Sequence, residues 1–119
     1  MKKILLVEDN DMNRDMMSRL LRRWGYDVVT AMDGGSAVEK VSSEHPDLVL
    51  MDISLPGIDG FEATTRIRAL PEGAQVPVIA LTAHVLDEDR ERAMNAGCND
   101  FETKPIDFQQ LERKLGVYL

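Results

Sequence analysis

Leu48-Val49-Leu50-Met51-Asp52 is the stretch that decides the fold: four consecutive apolar side chains end abruptly in a carboxylate. A run this short, bounded by polar and turn residues, reads as a strand covered on both faces. The same pattern recurs at Ile4–Val7, at Val28–Ala31 and at Val78–Leu81, with a weaker version around Phe101. Strands that are apolar throughout need helices on both sides, which favours a parallel sheet wrapped by crossovers.

The intervening segments supply those helices. Met12, Met16, Leu20, Leu21 and Trp24 fall on one face of a first helix, and Gly25 offers it a left-handed stop. A second helix spans about Ser36 to Ser43, with Ala37, Val38 and Val41 inward, and is ended by His45-Pro46. Ala63, Ile67 and Leu70 mark a third, between Pro56-Gly57 and Pro71. A fourth runs roughly from Asp87 to Ala96, carries Ala93 and Met94 inward and closes at Gly97. Phe108, Leu111 and Leu115 stripe a fifth, where Asp107 and Gln110 have the spacing of a capping box. Strand and helix thus alternate five times in an α/β chain, and ligands of such sheets bind beyond the carboxyl ends of the strands.

The 119 residues suit one domain, 1–119, and 44% hydrophobic with 29% charged residues permits a buried core. Asp and Glu number 21 against 14 Lys and Arg, a net charge of −7 that opposes direct nucleic-acid binding. Cys98 is the one cysteine and has no internal partner. The apolar run after Met1-Lys2-Lys3 is too short for a signal sequence, so no membrane association and a cytoplasmic location are expected.

Polar groups stand at the same end of four strands: Glu8-Asp9, Asp52, Thr82 and Lys104-Pro105. If the three acids converge, their mutual repulsion calls for a cation, and hard carboxylate oxygens select Mg²⁺. Such an ion keeps room for a phosphoryl group, and a carboxylate at the end of a central strand, Asp52, can act as the nucleophile toward it. Lys104 can neutralise a phosphoryl oxygen, and the Thr82 hydroxyl can donate to another.

With these residues in place the sequence resembles the receiver domain of two-component response regulators. The matching motifs are Leu6-Val7-Glu8-Asp9-Asn10, the segment Leu50 to Gly60 around Asp52, Leu81-Thr82-Ala83, and Lys104-Pro105. The resemblance implies a flavodoxin-like (βα)5 doubly wound sheet of five parallel strands in the order 2-1-3-4-5. It implies phosphoryl transfer to Asp52 from a phosphohistidine of a histidine kinase or histidine phosphotransfer protein. It maps Glu8 and Asp9 to the metal-binding acids, Ser54 to a ligand through its backbone carbonyl, Lys104 to the phosphoryl-contacting lysine before a cis proline, and Thr82 and Phe101 to the switch pair. Output is then a two-state shift read by a downstream protein at the face formed by the fourth helix, fifth strand and fifth helix. By the same resemblance, Ser54 and His84 occupy positions that in that family modulate phosphoryl lifetime. The family accommodates stand-alone regulators, homodimers and receivers within larger hybrid kinases.

Competing readings are weaker. A haloacid dehalogenase-type phosphohydrolase needs a second acid where Ser54 stands, and a flavin mononucleotide carrier would not place Glu8-Asp9-Asn10-Asp11 against a phosphate. An adaptor that never turns over phosphoryl has no use for the intact set of site residues. The methionines at helical spacing and Trp24 read as packing, His45 as a surface residue, Cys98 as inert, and Arg90-Glu91-Arg92 as a solvated helix face.

Overall fold

A computed structural model describes residues 1–83 and 87–119, with Asp87 described by its backbone alone. His84 lies outside the described residues. Five strands, β1 (Lys3–Val7), β2 (Asp27–Ala31), β3 (Leu48–Asp52), β4 (Val78–Thr82) and β5 (Asp100–Thr103), form one parallel sheet ordered β2-β1-β3-β4-β5. The helices are α1 (Asp11–Arg23), α2 (Gly34–Glu44), α3 (Gly60–Arg68), α4 (Asp87–Ala96) and α5 (Phe108–Tyr118), with a 3₁₀ turn at Pro71–Gly73. This is the flavodoxin-like arrangement, with the chain reversing between β1 and β3.

Every residue of β3 and β4 is buried, as strands covered on both faces require. Alternate side chains feed two cores. Leu5, Val7, Val49 and Met51 pack with Ala37, Val41, Phe61, Ala63, Ile67 and Ala93 beneath α2, α3 and α4. Ile4, Leu6, Leu48 and Leu50 pack with Met17, Leu21, Leu111 and Leu115 beneath α1 and α5. Burying one such leucine contributes about 1.5–3 kcal/mol.

Short polar side chains begin the helices. Asn10 accepts from the Asn13 N–H (2.9 Å), Asp33 from Ser36 (2.7 Å), Asp59 from Glu62 (2.9 Å), and Asp107 from Gln109 and Gln110 (3.1 and 3.2 Å). Each such cap is worth about 1 kcal/mol. Gly25 (φ 98°) and Gly97 (φ 106°) end α1 and α4 in the left-handed conformation. In both turns the next residue's N–H reaches back to close the helix, from Tyr26 to the Leu21 carbonyl and from Cys98 to the Ala93 carbonyl.

The methionine expectation is corrected. Met12, Met16 and Met94 are exposed by 82%, 44% and 53%, while α1 buries Met17, Ser18 and Leu21 instead. The apolar residues of α1 span more arc than its contact with the sheet, so spacing alone did not fix which edge of the stripe is covered. On α4, Ala93 takes the inward position and Met94, one residue on, turns about 100° away. Trp24 packs against the α1/α5 core, and His45 is exposed at the end of α2 with φ 48°.

Candidate functional site

The parallel register brings the chemical residues to one edge of the sheet. β1 ends at Val7 opposite Met51, so Glu8 follows at the level of Asp52, and Asp52 lies opposite Leu81, one residue before Thr82. The Lys104 N–H donates to the Thr82 carbonyl at 2.7 Å, which fixes the end of β5 beside β4. The Lys104–Pro105 peptide is cis.

Glu8, Asp9 and Asp52 each offer a carboxylate oxygen within 4.8 Å of the others. Glu8 and Asp52 are buried, each 2% exposed, whereas Asp9 is at the surface. Burial raises the Glu8 carboxyl, as do a hydrogen bond and repulsion from Asp52, against a lowering by Lys104, so that it titrates at about 7. Three oxygen acids gathered this tightly, one of them holding its proton to neutrality, make a donor set suited to a hard divalent cation. Magnesium therefore fits the residues present.

Asp52 Oδ1 is held from two sides. The Ser54 N–H donates to it at 3.0 Å and Lys104 Nζ lies 3.2 Å away. The lysine side chain is one-third exposed while that of the aspartate is buried. Thr82, 7% exposed, lines a small cavity beneath α4 together with Ile53, Phe61, Ala80, Asp89, Arg90, Ala93 and Phe101. The sequence-derived acids, Thr82 and Lys104 thus meet at one mouth, with Phe101 on the α4 side of it.

Four features had gone unread. Asn13 Nδ2 lies 3.4 Å from Glu8 Oε1, one turn into α1. Gly60 packs so close behind the acceptor that a Cβ would meet the Asp52 carbonyl at 2.6 Å and the Ile53 Cα at 2.7 Å. Glu102 of β5 is 4% exposed, with Oε1 2.8 Å from Lys114 Nζ. The Arg90-Glu91-Arg92 face of α4 is exposed, as expected, and two of its arginines also lie over aromatic rings. The Arg90 guanidinium covers the Phe101 ring (4.7 Å to the centroid), and Arg92 covers Phe61 (4.5 Å) while lying 3.5 Å from Asp59. A Gly directly after a helix cap was a readable sign of close approach; the arginine contacts depend on a fold-level juxtaposition that no spacing encodes.

Beside the acids, a groove of about 280 Å³ is lined by Asn13, Met16, Met17, Leu81, Pro105, Ile106 and Phe108 and reaches Glu8 and Lys104. Met16 is shared with a second surface hollow along α1 that includes Arg19 and Arg23.

Residues 4–116 match the family model described as the response regulator receiver domain. The chain is 35% identical over 118 residues to the polar-differentiation response regulator DivK of Brucella ovis, covering 99% of this chain and 96% of that protein. It is 40% identical over 112 residues to hybrid signal transduction histidine kinase I of Dictyostelium discoideum, covering 88% of this chain but only 6% of that much longer protein. Among solved structures it is similar to the receiver domain of the sensor histidine kinase PA1611 of Pseudomonas aeruginosa, which has a magnesium ion coordinated in its active-site cleft. That likeness has a TM-score of 0.91 and 44% identity, over 98% of this chain and 96% of that one. The chemotaxis protein CheY4 of Vibrio cholerae superposes with a TM-score of 0.94 at 29% identity, over 100% and 99% of the two chains.

Proposed function

This chain belongs to the response regulator receiver domain family, and from that premise we propose that residues 1–119 act as one domain that accepts a phosphoryl group on Asp52. The observation that carries the reading is the Asp52 carboxylate itself: buried, flanked by two further acids and held by the Ser54 N–H and Lys104.

The donor is a phosphohistidine on a histidine kinase or a histidine phosphotransfer protein. An Asp52 oxygen attacks phosphorus, the P–N bond breaks, and the imidazole leaves with its electron pair. Glu8, Asp9 and Asp52, with the Ser54 carbonyl, would hold Mg²⁺. Bound there, the ion offsets the charge of the acids and of the incoming phosphoryl oxygens. Lys104 supplies a second, mobile positive charge at the mouth, and the Thr82 hydroxyl donates to a phosphoryl oxygen. The groove along Met16, Pro105, Ile106 and Phe108 opens beside this mouth, where the donor's side chains must lie while its phosphohistidine reaches the buried acceptor. Attack of water on the acyl phosphate returns Asp52 and inorganic phosphate, so the catalysis is confined to the domain's own phosphoryl group.

Output follows from the unequal fit of the phosphoryl group to two states of Thr82 and Phe101, read by a downstream protein at α4, β5 and α5. No helix among the described residues is long and apolar enough to cross a membrane. We place its action in the cytoplasm, on protein partners.

Incubation with Mg²⁺ and acetyl phosphate, followed by intact-mass measurement, tests the reading. One phosphoryl adduct is expected, absent with EDTA and absent in Asp52→Asn. An unlabelled wild-type chain would transfer the weight to a receiver-shaped adaptor, and sustained turnover of phosphomonoesters would transfer it to a hydrolase.

A further inference from the structure

The switching reading leaves open what holds the Phe101 ring in its resting place. The cavity between Thr82 and α4 measures about 10 Å³, room for about one water and far less than a ring occupies. Phe101 therefore rests at its edge, half-buried, and an inward turn must open space under α4. The first two turns of that helix, Asp87 to Arg92, contain no apolar residue to pack on the ring. The Arg90 guanidinium packs on it instead, 4.7 Å from the centroid, and Arg90 also lines the rim of the cavity.

Two cations flank the ring. Lys114 Nζ, 5.7 Å from the centroid, is tied elsewhere: it lies 3.1 Å from Asp100, 2.8 Å from Glu102, and donates to the Phe101 carbonyl at 2.8 Å. Arg90, at 4.7 Å, has no ion pair among the described residues. When the ring leaves, Lys114 keeps its carboxylates and Arg90 loses the ring. Resting on the switching reading above, we propose that the Arg90 guanidinium is a latch that holds Phe101 outside the cavity and thereby sets the threshold at which phosphorylation flips the domain.

The latch favours the outward state, in which the guanidinium packs on the ring, so its removal shifts the equilibrium before any phosphoryl group arrives. By linkage the same factor appears in the affinity for whatever binds the inward state. A guanidinium over an exposed ring face is worth about a two- to fivefold change in that equilibrium.

The test compares wild type, Arg90→Ala, Arg90→Lys and Arg92→Ala by NMR, reading ring-current shifts at the Ala80 and Thr82 methyls. Without any phosphoryl mimic, Arg90→Ala should increase the inward-ring population about two- to fivefold. Arg90→Lys should give a smaller increase and Arg92→Ala, whose ring partner is Phe61, none. Titration with Mg²⁺ and beryllofluoride should show Arg90→Ala saturating at a lower concentration by the same factor, and the difference should vanish in a Phe101→Leu background. Unchanged methyl shifts in Arg90→Ala, an equal effect from Arg92→Ala, or persistence of the beryllofluoride difference in Phe101→Leu would each overturn the latch. A shifted ring population in a protein that binds no beryllofluoride would instead uphold the latch and sink the phosphoryl-acceptor reading.

Discussion

The helices that cover the sheet are held to different standards. Under α1 and α5 the strands meet large, fully buried side chains, Leu21, Leu111 and Leu115 against Ile4, Leu6, Leu48 and Leu50. On the other side α4 inserts Ala93 alone as a buried side chain among its described residues, half-buries Ala96, and otherwise reaches its neighbours through Arg90 and Arg92. Its C-terminal end is anchored by Arg68, which donates to the carbonyls of Gly73, Val76 and Gly97 and to Asn99 Oδ1. One half of the molecule thus fixes the acceptor, and the other carries a helix fastened firmly at one end and lightly along its length. A signalling domain needs both, because an element that moves must be drawn from the weakly held part of the structure.

The largest effect should come from the firm side. Leu50→Ala removes a side chain with no exposed surface two residues before the acceptor, and should destabilise the chain by about 2–5 kcal/mol in urea unfolding. A cost near zero would mean that β3 is no more rigidly packed than α4, and the contrast would dissolve.

Next comes Gly60→Ala. Its Cβ would strike backbone atoms of Asp52 and Ile53, which cannot swing aside, as well as the Ile53 Cδ1 methyl. The expected loss is about 1–3 kcal/mol, with a lower acetyl phosphate labelling rate because the strain falls directly behind the acceptor. Labelling at the wild-type rate would show that the rear of the site tolerates displacement.

A third effect is electrostatic. Glu8 titrates at about 7 in the folded, metal-free protein against 4.5 for the free side chain. Between those values the native state binds more protons than the unfolded one, so stability falls as pH rises through this window and the loss remains above it. Magnesium binding requires the proton to leave, so its affinity should weaken about tenfold per pH unit below 7 and level off above it. Calorimetric titration at pH 6 and pH 8 checks this. A flat profile would show that the acids do not share their site with the ion.

Most of this site was legible because a buried parallel strand announces itself. Each of the five apolar runs became a strand whose end lies within about two residues of a polar group, and the crossover rule then gathers those groups at one edge. The strand order and the cis peptide before Pro105 entered through resemblance to receiver domains and are observed. What escaped depended on neighbours remote in sequence. The exposed side of α1 could not be phased, since Met12, Met16 and Met17 all satisfy a helical stripe while only Met17 meets the sheet. Arg90 and Phe101 lie 11 positions apart on different elements, and an exposed charged helix face gives no sign in sequence of the ring it touches.

The smallest predicted effect is the one that bears most closely on the contrast. Met94 is the largest apolar side chain on α4, yet it is 53% exposed and adjoins the buried Ala93. If α4 were held like α1, trimming such a residue would open a cavity and cost several kcal/mol. Because Met94 points away from the sheet, Met94→Ala should change urea stability by no more than about 0.5 kcal/mol. The better helix propensity of alanine partly offsets the lost contact. A measured cost above about 1.5 kcal/mol would place Met94 in the packing and make α4 a firmly bound element. The light fastening through Arg90 and Arg92 would then no longer set α4 apart from the other helices.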